Sequence, residues 1–522
     1  MQDSEKIYLV LGAVSAWILV SLMRSIFASG LRDLPGPLLA KFSNIYRLVD
    51  VSKGYNHETL VKLHDSCGDN VRFGPNVVSV RNPKDVNKIY GLKGGYVKTD
   101  FYAVQQQLAN GKATQTLFTT LDEAFHARIK RPVASAYSMT TLTDYEPLVD
   151  RTILAFFKQL ENRYALTGRD CPIFEWLQYY AFDVIGEVTC SENFGFIDKG
   201  CDVGGIIEAL NVTMDYNAFV GQIPWLDRWL KKNPVWTRIA QPTGAVAQFA
   251  YKQLLARLDE TKEKVSSDSI ESQKRDFVDR FFQAKETHPE VVDDRQVFSY
   301  MVTNMFAGSD TTAISLRAIL YYTLKHPEVY AKLMAELDAA EEAGQLSMPV
   351  TWKQSQTLPY FDAVVKEALR LHPAVGLILE RIVPNQGLRL ECGTVLPAGT
   401  IVGASPWVMH RHKYIYGQDV ESFRPERWLP DVDEDTASYD KRLKAMKGAD
   451  FTFGKGHRTC IGKNISLLEI YKMLPSFFLK YSVQLADPEA KWTLKNSWFV
   501  RQEGIEVRIG IRNVKDLGYL SD

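Results

Sequence analysis

The chain has 522 residues, with 62 basic against 62 acidic side chains, 46% hydrophobic and 11% aromatic residues. This composition can bury a large core and excludes dominant disorder, while a net charge of zero excludes a general nucleic-acid binder, whose affinity rests on an excess of Lys and Arg. The six cysteines include no CxxC pair and are too sparse for a disulfide scaffold or a structural zinc site, so they read as reduced thiols.

The first element is IYLVLGAVSAWILVSLM over 7–23, uncharged for about 17 residues, the lower limit for a bilayer span. Asp3 and Glu5 precede it against only Lys6, whereas a cleaved signal peptide, the alternative, wants a basic start. Arg24, Arg32, Lys41 and Arg47 follow and place the bulk of the chain in the cytosol. The expectation is a single N-terminal anchor over 1–30, in the endoplasmic reticulum membrane, and one cytosol-facing domain over 31–522. Leu34-Pro35-Gly36-Pro37 cannot continue a helix and predicts a stiff extended hinge.

Beyond the hinge, apolar spacing predicts helices over 142–160, 246–258, 297–324, 329–343 and 360–371. Short β-patterned pieces fall at 76–80, 382–390, 400–404 and 483–485. The expected class is mainly α with small β-sheets (α+β).

One segment carries chemistry: Phe453-Gly454-Lys455-Gly456-His457-Arg458-Thr459-Cys460-Ile461-Gly462. Two glycines allow a tight loop with amide N–H groups turned inward, and the helical spacing after Cys460 places it at a helix N-terminus. Both features predict a thiolate, a soft axial ligand for iron. Gly462 leaves room for a flat macrocycle, and Arg458 is placed to meet an anionic edge group.

This FGxGxRxCxG pattern resembles the heme-binding signature of the cytochrome P-450 family at every fixed position. The resemblance implies the cytochrome P-450 fold, heme b, iron ligated by Cys460, and cofactor contacts from Phe453, Gly454, Arg458 and Gly462. Lys366-Glu367-Ala368-Leu369-Arg370 and Pro425-Glu426-Arg427-Trp428 are similar to the family's ExxR and PERW elements. They imply a buried structural network of Glu367, Arg370 and Arg427. Ala307-Gly308-Ser309-Asp310-Thr311-Thr312, inside a helix apolar on nearly all sides, resembles the oxygen-activating AGx(D/E)TT. Asp310 and Thr311 are then the catalytic proton-delivering pair, with Gly308 opening the groove for dioxygen. His126 and Lys130 fall where family members place a Trp or His and an Arg on the heme propionates; lysine keeps the charge without the bidentate geometry. Arg381 matches a further propionate contact.

The resemblance extends from Leu34 to the C-terminus. The anchor-plus-LPGP start is similar to membrane-bound eukaryotic members, and HARIKRPVASAYS with FAGSDTT to fungal ones such as pisatin demethylase. The implied activity is a heme-thiolate monooxygenase of secondary metabolism that inserts one oxygen atom from O2 into a hydrophobic small molecule, by hydroxylation, oxidative demethylation or a related oxidation. No GxGxxG lies between a strand and a helix, so electrons come from a partner, and the resemblance implies a membrane-bound NADPH-dependent flavoprotein reductase, for which Lys130, Arg131, Lys444, Lys447, Lys455, Arg458 and Lys463 offer a basic docking face. The pocket is expected from Met305, Phe306, 375–379, 496–499 and parts of 96–118. A heme-thiolate isomerase or dehydratase and a non-enzymatic heme sensor are the alternatives.

Overall fold

A computed structural model describes residues 30–512 other than Lys93, 110–111, 234, 236–243 and 266–275, together with Tyr8, Gly12, Val20 and Met23. The anchor expected over 1–30 lies almost wholly outside the described residues. No helix among the described residues is long and apolar enough to cross a membrane.

The helices that position the site are α1 (Ile45–Ser52), α2 (Asn56–Cys67), α3 (Glu123–Lys130), α4 (Glu146–Leu160), α5 (Ile173–Cys190), α6 (Ile206–Val220), α7 (Ala245–Val265), α8 (Phe277–Thr287), α9 (Asp294–Lys325), α10 (Pro327–Glu342), α11 (Pro359–Leu371), α12 (Thr436–Ala449) and α13 (Lys463–Lys480). Helix α9 is 32 residues long and opens with the Asp293 carboxylate accepting from the Gln296 N–H, an N-cap that satisfies one orphan donor. Its near-continuous apolar surface is buried against α5, α11 and α13. The helix expected from residue 142 starts instead at Glu146, because Pro147 has no N–H to give and fits only a first turn.

Five short strands form one sheet: β1 (Asn70–Gly74), β2 (Val77–Val80), β3 (Val97–Lys98), β4 (Arg381–Ile382) and β5 (Ile401–Gly403), in the order β1-β2-β5-β4-β3. Only β2 and β5 run parallel, with Val77 opposite Ile401. Two antiparallel pairs follow, β6 (Tyr481–Leu485) with β9 (Val507–Ile511) and β7 (Thr493–Ser497) with β8 (Phe499–Glu503). The strand expected over 382–390 is interrupted: Gly387 sits at φ +71° in a turn closed by its N–H on the Pro384 carbonyl, and Pro384 itself cannot donate to a ladder.

The main apolar core runs from Leu117 to Ile509 through α4, α5, α8, α9, α10, α11 and α13, so residues distant in sequence share one interior. A second cluster sits under the five-stranded sheet and extends to α12.

Candidate active site

The cysteine loop is built by its glycines. Gly454 and Gly456 adopt φ +69° and +70°, and a Cβ on Gly456 would stand 1.9 Å from the Tyr90 carbonyl oxygen, so only glycine fits. The loop closes where the Cys460 N–H donates to the Phe453 carbonyl at 2.9 Å, and α13 begins three residues later with Gly462 as N-cap. The Gly462 and Lys463 amides donate to the Cys460 sulfur. The expected thiolate does not follow from the protein alone. Burial raises the thiol pKa, and those amides with the charges of Lys130 and Lys463 offset it only in part. Cys460 presents exposed side-chain surface while deeply surrounded by protein, so it lines an internal space rather than the packed core; Ala307, in the middle of α9, is exposed as well.

Cations converge beside this loop. Arg458 donates to Glu123 (2.9 and 3.0 Å) and to the Thr120 and Leu117 carbonyls (3.0 and 3.3 Å). Lys130 reaches the His457 carbonyl at 3.0 Å and pairs with no carboxylate among the described residues. His126 is buried, and burial followed by the charges of Arg458, Lys130 and Lys98 lowers its pKa to about 3, so it is neutral. Arg381 donates to the Glu380 carbonyl at 2.8 Å and lies over the Tyr90 ring at 5.1 Å. Lys98 pairs in register with Arg381 across β3 and β4. Its ammonium contacts the Phe118 carbonyl and lies over the rings of Tyr102 and Phe118 at 4.2 and 4.3 Å. Burial, then Arg381 and Arg458, push the Lys98 pKa well below its usual value. Glu380 does not relieve this cluster, because Arg47 and Thr99 occupy its carboxylate.

On α9, Thr311 donates to the Ala307 carbonyl at 2.7 Å, and Asp310 is buried. The Gln178 side-chain amide of α5 donates to Asp310 Oδ1 at 2.6 Å, and Arg317 donates to Gln178 Oε1 at 2.6 Å. Arg317 is itself anchored on the Phe174 carbonyl by Nε and Nη2, at 2.8 and 2.6 Å. Asp310 Oδ2 has no partner among the described residues. Burial raises the Asp310 pKa, against the pull of Arg317, Arg501 and the Gln178 bond. Gly308 has a packing reason of its own. A Cβ there would approach Ile185 Cδ1 to 2.7 Å, so the glycine permits the close crossing of α5 and α9.

Beneath the site, Glu367 accepts from Arg370 at 2.8 and 2.9 Å, from Arg427 at 3.1 Å, from the Trp428 indole at 2.9 Å and from the Arg424 amide at 3.2 Å. Burial alone would raise the Glu367 pKa, but these donors hold it below the ordinary carboxylate value. Arg370 goes on to the His410 and Val420 carbonyls, tying α11 to the segment before the PERW turn. The network expected from ExxR and PERW is present and buried.

The expected pocket residues divide. Met305 is fully buried in the main core and does not line a pocket. Phe118 keeps 36% exposure, and Trp498 packs against Phe101, Tyr102 and Phe118 at 5.0 to 6.0 Å between ring centres. Trp498 stands at φ +80° at the β7–β8 turn, a left-handed conformation that costs a bulky residue energy and recurs at binding sites. On the expected docking face, Arg131, Lys444, Lys447 and Lys463 are exposed, whereas the Arg458 side chain is only 2% exposed and committed to Glu123.

Sequence reasoning missed Lys98, Gln178 and Arg317. Arg317 left a signal: it lies seven residues, two helical turns, beyond Asp310 in an apolar run and so shares its face. Lys98 and Gln178 left none, since their roles arise from strand register and helix crossing.

The donor set fits a planar iron macrocycle with anionic edge groups. It offers one soft sulfur and a buried excess of cations over carboxylates. At Gly462 an added Cβ would meet only Ile465 Cδ1, at 3.9 Å. Comparison with known proteins agrees. The family model described as Cytochrome P450 matches residues 35–507. The cytochrome P450 monooxygenase cicH of Emericella nidulans is 40% identical over 92% of this chain and 94% of its own length. A cytochrome P450 monooxygenase of Aspergillus terreus is 41% identical over 89% and 92%, and cfoH of Aspergillus candidus is 35% identical over 96% and 91%. On the thiol loop, the Glu367 network and these similarities, the chain belongs to the cytochrome P450 family and is an oxygen-incorporating oxidoreductase.

Proposed function

We propose that the protein oxidises a hydrophobic small molecule of fungal secondary metabolism, by hydroxylation, oxidative demethylation or a related oxidation. The carrying observation is Cys460, a sulfur with two amide donors beside a buried set of cations. Heme b is the group we assign there, with its two carboxylates taken up among Lys98, His126, Lys130, Arg381 and Arg458. When bound, heme supplies dioxygen activation: one oxygen atom enters the substrate and the other leaves as water, consuming two electrons and two protons.

The chain's own residues orient and meter. Cys460 holds the iron, Phe453, Gly454 and Gly462 shape the loop against the macrocycle, and Arg458 ties that loop to α3 through Glu123. Asp310 holds and passes a proton, with the Thr311 hydroxyl beside it on α9. Electrons come from an NADPH-dependent flavoprotein reductase, for which the exposed Arg131, Lys444, Lys447 and Lys463 supply positive charge.

We assign residues 1–30 to a single-pass anchor in the endoplasmic reticulum membrane and 31–512, with the C-terminal residues that follow, to one catalytic domain in the cytosol. Support comes from large apolar side chains left exposed on neighbouring elements: Leu38, Leu39 and Ile45 before and on α1, and Trp225 and Trp229 after α6, which packs on α1.

A carbon-monoxide difference spectrum of the reduced protein tests the ligand: the red-shifted Soret band of thiolate ligation is expected, and is lost in Cys460→Ala. Turnover with labelled dioxygen then tests the reaction, with one labelled atom expected in product. An unlabelled, rearranged product would favour the isomerase or dehydratase alternative.

A further inference from the structure

The acid on α9 is held by one oxygen only, and the holder is fixed by a charge that cannot be inverted. A glutamine amide is ambiguous when its neighbours can both donate and accept, but Arg317 is a donor only. Its guanidinium, bound twice to the Phe174 carbonyl, therefore meets the Gln178 oxygen, and the Gln178 nitrogen is turned onto Asp310 Oδ1. Seven residues of helix set Arg317 about 10.5 Å beyond Asp310 along the axis, too far for a direct ion pair, and Gln178 spans that gap from α5. All three side chains are buried, at 2% to 8% exposure.

We propose that Gln178 and Arg317 are positioning residues for Asp310, making Oδ1 a permanent acceptor and Oδ2 the oxygen that carries the transferred proton. In a neutral carboxyl group the carbonyl oxygen is the better acceptor, so a fixed donor at Oδ1 leaves the hydroxyl at Oδ2. That oxygen is the one without a partner among the described residues. The step is proton transfer alone. The O–H bond at Oδ2 breaks, the proton passes to the Thr311 side of α9, and Oδ2 is reprotonated from solvent; no electron moves, and the bond to Gln178 persists. The charged and titratable groups around the trio are Glu175 and Tyr179 on α5 and Arg501 and Glu503 on β8, with Arg317 on α9 itself. Arg317 stays cationic, its pKa lowered by burial only to about 10.

The proposal rests on Asp310 being the proton-passing acid, and the test separates the two. Infrared difference spectra of the full-length ferric holoenzyme, titrated from pH 4 to 9, are recorded for the carboxylic C=O stretch, with the Asp310 band identified by its loss in Asp310→Asn. In Gln178→Leu the band is expected at higher wavenumber, because its carbonyl oxygen loses a donor. The midpoint is expected to rise by about one pH unit, roughly a tenfold change in proton affinity. Arg317→Lys keeps the charge without the two-point anchor and is expected to broaden the band. Should Gln178→Leu fold poorly, Gln178→Glu retains the Arg317 contact and is expected to raise the midpoint by facing Asp310 with a second carboxylate. An Asp310 band and midpoint unchanged in the folded Gln178 variant overturn the proposal. Failure of the underlying reading looks different: Asp310→Asn would then leave the share of NADPH electrons released as peroxide unchanged, whatever Gln178 does.

Discussion

Lys98 and Arg381 stand directly opposite each other across the β3–β4 pair, two buried basic side chains in register. Like charges facing across strands destabilise a sheet, more so where water is excluded. The arrangement is tolerable where an anion completes it, and the edge carboxylates of the heme proposed for this site are such anions. Lys98→Met is therefore expected to stabilise the heme-free protein by about 1–3 kcal/mol and to weaken heme uptake by roughly tenfold. Thermal unfolding of the apoprotein and a hemin titration read the two effects separately. A stability loss in the apoprotein would contradict the assignment.

The two loop glycines should respond differently. Gly456→Ala drives a Cβ into the Tyr90 carbonyl at positive φ, so the loop must open, and loss of about 3 kcal/mol or more with loss of the Soret band is expected. Gly462→Ala meets nothing closer than 3.9 Å, and the apoprotein should stay within about 1 kcal/mol of the original. Any deficit there should appear as reduced heme occupancy. Denaturant unfolding with heme quantification distinguishes the pair.

Glu367 holds Arg370 and Arg427 in a buried site, and removing it leaves the Arg370 guanidinium without a carboxylate and Arg427 with Asp419 alone. Glu367→Gln is expected to cost about 3–5 kcal/mol, measured by denaturant unfolding. The pKa is lowered in the folded state, so this stabilisation is present above the unfolded carboxyl value and is lost as pH falls through the folded one.

Glu469 on α13 has the opposite sign. Its side chain is fully buried, neither oxygen has a partner among the described residues, and burial raises its pKa well above the usual value. The folded state retains the proton that the unfolded chain loses near pH 4.3. Stability from this group therefore declines as pH rises above that point, by up to about 1.4 kcal/mol per pH unit until the folded carboxyl titrates. Glu469→Gln should be neutral near pH 4 and stabilising at pH 7 to 8. Parallel unfolding curves for the two proteins across that range would refute the burial argument.

Much of the site is legible in the chain because it is contiguous. The cysteine loop depends on Gly454 and Gly456, two positions apart, and the ion pair of Glu367 with Arg370 on two positions of one helical turn. Local geometry alone brings those groups together, and their spacing survives as a written pattern. The long helices are legible for the same reason, since apolar spacing repeats over many turns. Two-residue strands such as β3 and β4 are too short to show any period. The misplacement of Met305 has a related cause: a buried helix is apolar on every side, so its sequence does not say which face meets a pocket.

By itself, then, the sequence marked the proposed ligand sulfur and acid–threonine pair and the Glu367–Arg370 ion pair, each encoded within a few residues or one helical turn. The tertiary structure decided which groups surround them. Sheet register set Lys98 against Arg381, and the α5–α9 crossing brought Gln178 between Asp310 and Arg317. Burial raised the Cys460 thiol pKa above what its helix end alone would give. Desolvation and long-range charge depend on everything packed nearby, and no local spacing carries that information.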